Sequence, residues 1–227
     1  MTKTVLLASA AMLALSMGGA SAAAPTMVHN NGKALHHKNL GNRSLSVLYD
    51  QTSNDSGIGI VSQNFESSFD IYDAQAADDF TVPAGTIGTV KEVDATGVYF
   101  NGSGPANSEN VTFYKNSHGA PGDVVAEFDG VVGADSFGSF AIDLGKGHKF
   151  KGGKHGKTYW VSVQANLDFS AGGEWGWENQ TTSEGNAAMW VNAGDGFATG
   201  CTTYSQENVC IPDGQGDHMF TLRGKSK

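Results

Sequence analysis

The chain has little charge, few cysteines and only one long hydrophobic run. Asp, Glu, Lys and Arg make up 16% of its 227 residues, against about 25% in an average soluble domain. The surface therefore depends on Ser, Thr, Asn, Gln and Gly for its polarity. Basic residues are outnumbered, 14 to 23, for a formal charge of -9. Such a body repels phosphate backbones and anionic bilayers, so nucleic acid and membrane surfaces are not expected partners. No stretch of ten or more residues beyond the first segment carries a 3.6-residue apolar period. Strands without intervening helices argue against βαβ units and the dinucleotide sites built on them. The 31 glycines follow no G-X-Y period, which excludes a collagen-like chain.

The one long apolar run lies at the start. Lys3 is followed by Val5 through Met17 and by Ala20-Ser21-Ala22. This order of charge, apolar stretch and small residues reads as a secretory signal peptide over 1–22, cleaved near Ala22, and not as a membrane span. The expected location is the periplasm or the exterior. There Cys201 and Cys210 pair by default, closing a loop whose chain-entropy contribution is about 2.7 kcal/mol. A free thiol or a metal ligand is the alternative for these cysteines. Residues 23–44 lack periodicity and read as a mobile polar leader. Its His29, His36 and His37 have no cysteine or carboxylate among them to complete a metal site.

From Leu45 the pattern changes to short runs of β-branched and aromatic residues divided by Gly, Asn, Asp and Ser. Phe140, Ile142 and Leu144 alternate, as do Tyr159, Val161 and Val163. On the opposite face of the latter strand stand Trp160, Ser162, Gln164 and Asn166, the pattern of a sheet with one face buried. The expected fold is all-β: a single two-sheet antiparallel sandwich over 45–227, jelly-roll-like, with the first and last strands side by side.

Three clusters bear on chemistry. Asp70, Asp73, Asp78 and Asp79 fall within ten residues and repel one another unless compensated. Asp78 and Asp79, joined by Asp217 if the terminal strands pair, would suit calcium, which takes six to eight oxygen ligands. The plainer reading has Asp70 and Asp73 capping turns, with Asp78 and Asp79 at an exposed strand start. No D-x-[DN]-x-[DN]-G loop is present. Second, Trp175 and Trp177 share a strand face in Glu174-Trp175-Gly176-Trp177-Glu178-Asn179. Exposed, they would form a sugar-stacking platform edged by Glu178 and Asn179; buried, they would be core. Glu174 and Glu178 span about 13 Å along a strand, too far for a glycosidase pair, unless Asp168 or Glu184 supplies a partner. Third, residues 146–157 hold five lysines and two histidines, reading as a solvated hairpin or as a contact for acidic glycans.

Nucleophilic catalysis has no motif. Ala134-Asp135-Ser136-Phe137-Gly138 departs from G-x-S-x-G at its first position. The segment Gly194 to Gly200 lacks the spacing and the helix of a phosphate loop, and His118, His148, His155 and His218 form no H-E-x-x-H.

Gln75 to Pro83, Q-A-A-D-D-F-T-V-P, resembles a segment recurring in uncharacterised secreted bacterial β-sandwich proteins. Trp160-Val161-Ser162-Val163, Trp175 to Asn179 and Gly200-Cys201-Thr202 are similar to the same group. The likeness covers about 45–224 and implies the fold and export, with no known activity. The expected function is a secreted, non-catalytic module binding carbohydrate or a matrix surface, with calcium as the metal it would take. A polysaccharide-acting hydrolase and a matrix-assembly protein are the alternatives.

Overall fold

The computed structural model describes residues 24–30, 44–214 and 216–227. The signal segment, His36 and His37 lie outside them. In chain order the strands are β1 (Val28–Asn30), β2 (Ser46–Gln51), β3 (Asp55–Val61), β4 (Gln63–Asn64), β5 (Gln75–Val82), β6 (Ile87–Ala95), β7 (Gly97–Phe100) and β8 (Ser108–Ser117). Then come β9 (Ala120–Val131), β10 (Ala134–Ser136), β11 (Ser139–Lys151), β12 (Lys157–Asn166), β13 (Glu174–Gln180), β14 (Met189–Val191), β15 (Ser205–Gln206) and β16 (Phe220–Ser226). One-turn helices α1 (Phe169–Gly172) and α2 (Glu207–Cys210) interrupt them.

The protein is an all-β sandwich, antiparallel except where β4 runs parallel to β12. Hydrogen bonding divides it into three sheets instead of two: β1-β3-β13-β7, β10-β11-β6-β16-β2, and β15-β14-β5-β12-β8-β9. Ser62 joins the first to the third. Its N–H donates to Trp175 O at 3.3 Å, its carbonyl accepts from Ala165 N at 3.0 Å, and its hydroxyl donates to Val163 O at 2.6 Å. Those two sheets form one layer and the five-stranded sheet the other. Between them, Phe140 of β11 stacks on Trp175, Phe220 of β16 meets Trp177, and Phe150 meets Phe80, Phe113 and Tyr159. The alternating residues Phe140, Ile142 and Leu144, with Tyr159, Val161 and Val163, all lie in this core.

Strands β2 and β16 lie side by side, as the jelly-roll expectation had it. Two other expectations fail. The leader is not wholly a tail: Val28–Asn30 pair with Ile58–Ile60, and His29 stacks on Phe100 at 5.2 Å. The open edge of β3 supplies the partner that the leader's own sequence lacks. Strand β12 is also buried on both faces, because Tyr114, Met189 and the partly buried Tyr204 cover Trp160. The cysteines form a disulfide, with Cα atoms 5.9 Å apart.

Candidate functional site

Strand β5 places Ala76, Phe80 and Val82 in the core, and period-two alternation puts Asp78 on that inward face. A carboxyl there must find donors or stay protonated. It has three: Gln51 Nε2 and His218 N at Oδ2, at 2.7 and 2.6 Å, and Asp79 N at Oδ1, at 2.7 Å. Burial and the nearby Asp217 nevertheless push its pKa well up. Asp79 points the other way, where Asn186 N donates at 2.7 Å and Asn186 Nδ2 at 3.2 Å. Gly185 has φ +82 and lies so close to that carboxylate that a Cβ would sit 2.6 Å from Asp79 Oδ1. The Asp217 carboxylate accepts the Glu184 amide, and burial raises its pKa to about 6.

The structure therefore brings Asp78, Asp79 and Asp217 together, but not at an exposed strand start. Their relative exposures are 0%, 1% and 0%. Among the described residues no group of three His, Cys, Asp or Glu side chains is arranged to hold a metal ion. Amide donors occupy both oxygens of Asp78 and of Asp79 and one of Asp217, leaving Asp217 Oδ1 without a hydrogen bond among the described residues. The set does not form a three-ligand cluster, so the calcium expectation finds no geometric support.

Two residues of this cluster went unrecognised in the sequence. His218 stacks on Trp177 at 4.6 Å, and its Nε2 lies 2.8 Å from Glu207 Oε2. Glu207 opens α2, inside the loop closed by the disulfide, and both partners are buried. The disulfide thus holds a carboxylate over a histidine that packs on the central tryptophan. Nothing local in the sequence marks Glu207. His218 had one signal, its place beside Asp217 just before the last strand.

The tryptophan platform is overturned. Trp175 and Trp177 are both 0% exposed, as are Glu178 and Asn179, because β13 is covered on both sides by the second layer and by its own neighbours. Each indole N–H is satisfied internally: Trp175 donates to Gly138 O at 2.7 Å and Trp177 to Met219 O at 2.9 Å. Neither ring face nor edge is available to a sugar.

The hydrolase pair also fails to assemble. Glu174 and Glu178 are buried on one strand, while Asp168 and Glu184 are exposed. Glu174 accepts from Thr26 N and Asn101 Nδ2, each at 2.5 Å, and burial raises its pKa to about 7. That raised value belongs to a carboxyl clamping residues 24–30 onto the sandwich. Glu109 is raised to about 7 by burial in the same way and accepts Gly133 N at 2.7 Å.

A crevice of about 140 Å³ opens beside the sheet edge at β2. Val47, Tyr49, Phe80, Val90, Phe150 and Leu222 line it, and no carboxylate or imidazole does. The 146–157 segment closes β11 and turns into β12, with Lys146, Lys149, Lys151, Lys154 and Lys157 exposed. Ser136 precedes a two-residue hairpin turn at Phe137 and Gly138, φ +56 and +98. The Gly194–Gly200 loop lies against Ile71, so closely that a Cβ on Gly194 would meet the Ile71 backbone at 2.5 Å. No described helix is long and apolar enough to cross a membrane. Comparison with family models, with curated proteins and with solved structures finds no match to this chain.

Proposed function

We propose that the protein is a secreted, non-catalytic module that binds carbohydrate or a matrix surface. One observation carries this reading: the carboxyls whose pKa values burial raises furthest, Asp78, Glu109, Glu174 and Asp217, are buried in structural hydrogen bonds. Catalytic groups need perturbed pKa values in an accessible cleft; here the perturbation comes with closure. A rigid sandwich with polar, mostly uncharged strands suits surface recognition instead. The apolar segment from Val5 to Met17, the Cys201–Cys210 disulfide and the Gln75–Pro83 resemblance support export.

The test is retention of the chain on immobilised polysaccharides, with reducing-end release followed in the same samples. Retention without release is the expected result. Release of reducing ends would replace this reading with the hydrolase, and failure to bind any polysaccharide or matrix material would remove it.

A further inference from the structure

Resting on that reading, we propose that one end of the outer face of the five-stranded sheet, around Ile87 and Thr89 and away from the carboxylates of Asp50, Asp94 and Asp143, is the binding surface, and that it takes a linear polysaccharide bearing carboxylate or sulfate groups. Strand register carries the argument. Thr89 of β6 pairs with Lys149 on one side and with Lys225 on the other. Two residues along, Ile87 pairs with Lys151, and it exchanges backbone hydrogen bonds with Lys227 at 2.9 and 3.0 Å. Directly paired residues share a sheet face. Phe150, between Lys149 and Lys151, is 1% exposed in the core, so these lysines point outward. The result is two parallel rows, Lys149-Thr89-Lys225 and Lys151-Ile87-Lys227.

Sheet geometry fixes the spacing. The lysines of a row are about 9.6 Å apart across two strands, and the rows about 6.7 Å apart along them. All four side chains are exposed. The ion pairs among the described residues use Lys115, His218 and Arg223, and none of these four. Four of the chain's 14 basic residues thus form one patch on a body of net charge -9. Lys146 and Lys154 lie on the adjoining bulge and hairpin and extend the positive field. Like charges so placed repel one another and gain nothing for the fold, whereas a repeating anion relieves them all. Between the ammonium groups, Thr89 offers a hydroxyl and Ile87 an apolar spot for a ring face. An anionic sugar chain uses all three features.

The test measures equilibrium binding of the full chain to heparin for sulfate, polygalacturonate for carboxylate, and neutral dextran, with duplex DNA as competitor. Binding to at least one anionic polysaccharide, weakened by added salt, is expected. Lys149→Glu, Lys151→Glu, Lys225→Glu and Lys227→Glu together should lower that affinity at least about tenfold. Lys115→Glu, on another sheet, should change it by less than about twofold, and thermal melting of each variant checks folding. Unchanged affinity in the quadruple variant overturns the proposal, as does DNA displacing both polysaccharides at equal charge. Binding to dextran alone, or to none of the three glycans, would refute this face, while the module reading falls only if the wider set of polysaccharides and matrix material also fails to retain the chain.

Discussion

Charge is handled in opposite ways in two regions of this protein. Around Asp78, acidic groups are sealed from water and supplied with amide donors. At Lys149 and Lys225, basic groups stand in solvent in register, and no ion pair among the described residues uses them. Burying a carboxyl is costly, so each buried one must contribute to holding chain segments together. Asp78 joins β2, β5 and the approach to β16; Glu174 joins β13 to residues 24–30. An exposed lysine contributes little to stability, which leaves it free to meet a partner.

The comparison breaks most visibly in the core. Trp177→Ala should destabilise by about 3–5 kcal/mol, since it removes a fully buried indole under His218 and beside Phe220. Chemical denaturation measures it, and a loss below about 1 kcal/mol would mean the indole is not packed as described. Asp78→Ala removes one of the two bonds of the Gln51 amide, which keeps His218 O at 2.8 Å, and takes the carboxylate from two backbone N–H groups, at about 1–3 kcal/mol for each group left unpaired, read by the same denaturation.

Acidity sharpens the contrast. Burial raises Glu109 and Glu174 to about 7 and Asp217 to about 6, so the folded state holds these protons more firmly than the unfolded chain does. Their stabilising contribution is complete below about pH 4 and is lost as the pH rises through the folded values. The melting temperature should therefore fall between pH 5 and 8. For Glu174 alone the change is on the order of 3 kcal/mol, and Glu174→Gln should flatten the profile. A melting temperature that rises over this interval would contradict the burial of these groups.

Reducing the disulfide, or making Cys201→Ser, should cost about 2.7 kcal/mol by loop entropy, read as a lower melting temperature. The smallest effect on stability belongs to the lysine face, where Lys149→Glu with Lys225→Glu should stay within about 0.5 kcal/mol.

The sequence made the strands legible where alternation was clean, as in β11 and β12, and β3 went unread. Its Gly57 and Gly59 look like turn residues, yet Gly59 is required by packing: a Cβ there would meet Val98 Cγ1 at 2.8 Å. Asp78, Asp79 and Asp217 were legible as a group, although β5 pairs with neither terminal strand and the three meet across the layers through Gln51 and His218. Their burial was not, because loop 181–188, which closes over them, carries no local signature. Trp175 and Trp177 were ambiguous, since an alternating strand reads the same whether its aromatic face meets solvent or a second layer. The lysine rows depend on register between β6, β11 and β16, which no single segment encodes.

All four tryptophans, Trp160, Trp175, Trp177 and Trp190, are 0% exposed, and the indole N–H of each donates inside the protein. Acrylamide quenching of native fluorescence is therefore the most direct measurement of the claim that aromatics build the core while the binding face lies elsewhere. The account predicts blue-shifted emission, weak quenching, and no further protection on adding polysaccharide. Solvent-like quenching that a bound glycan suppresses would contradict it.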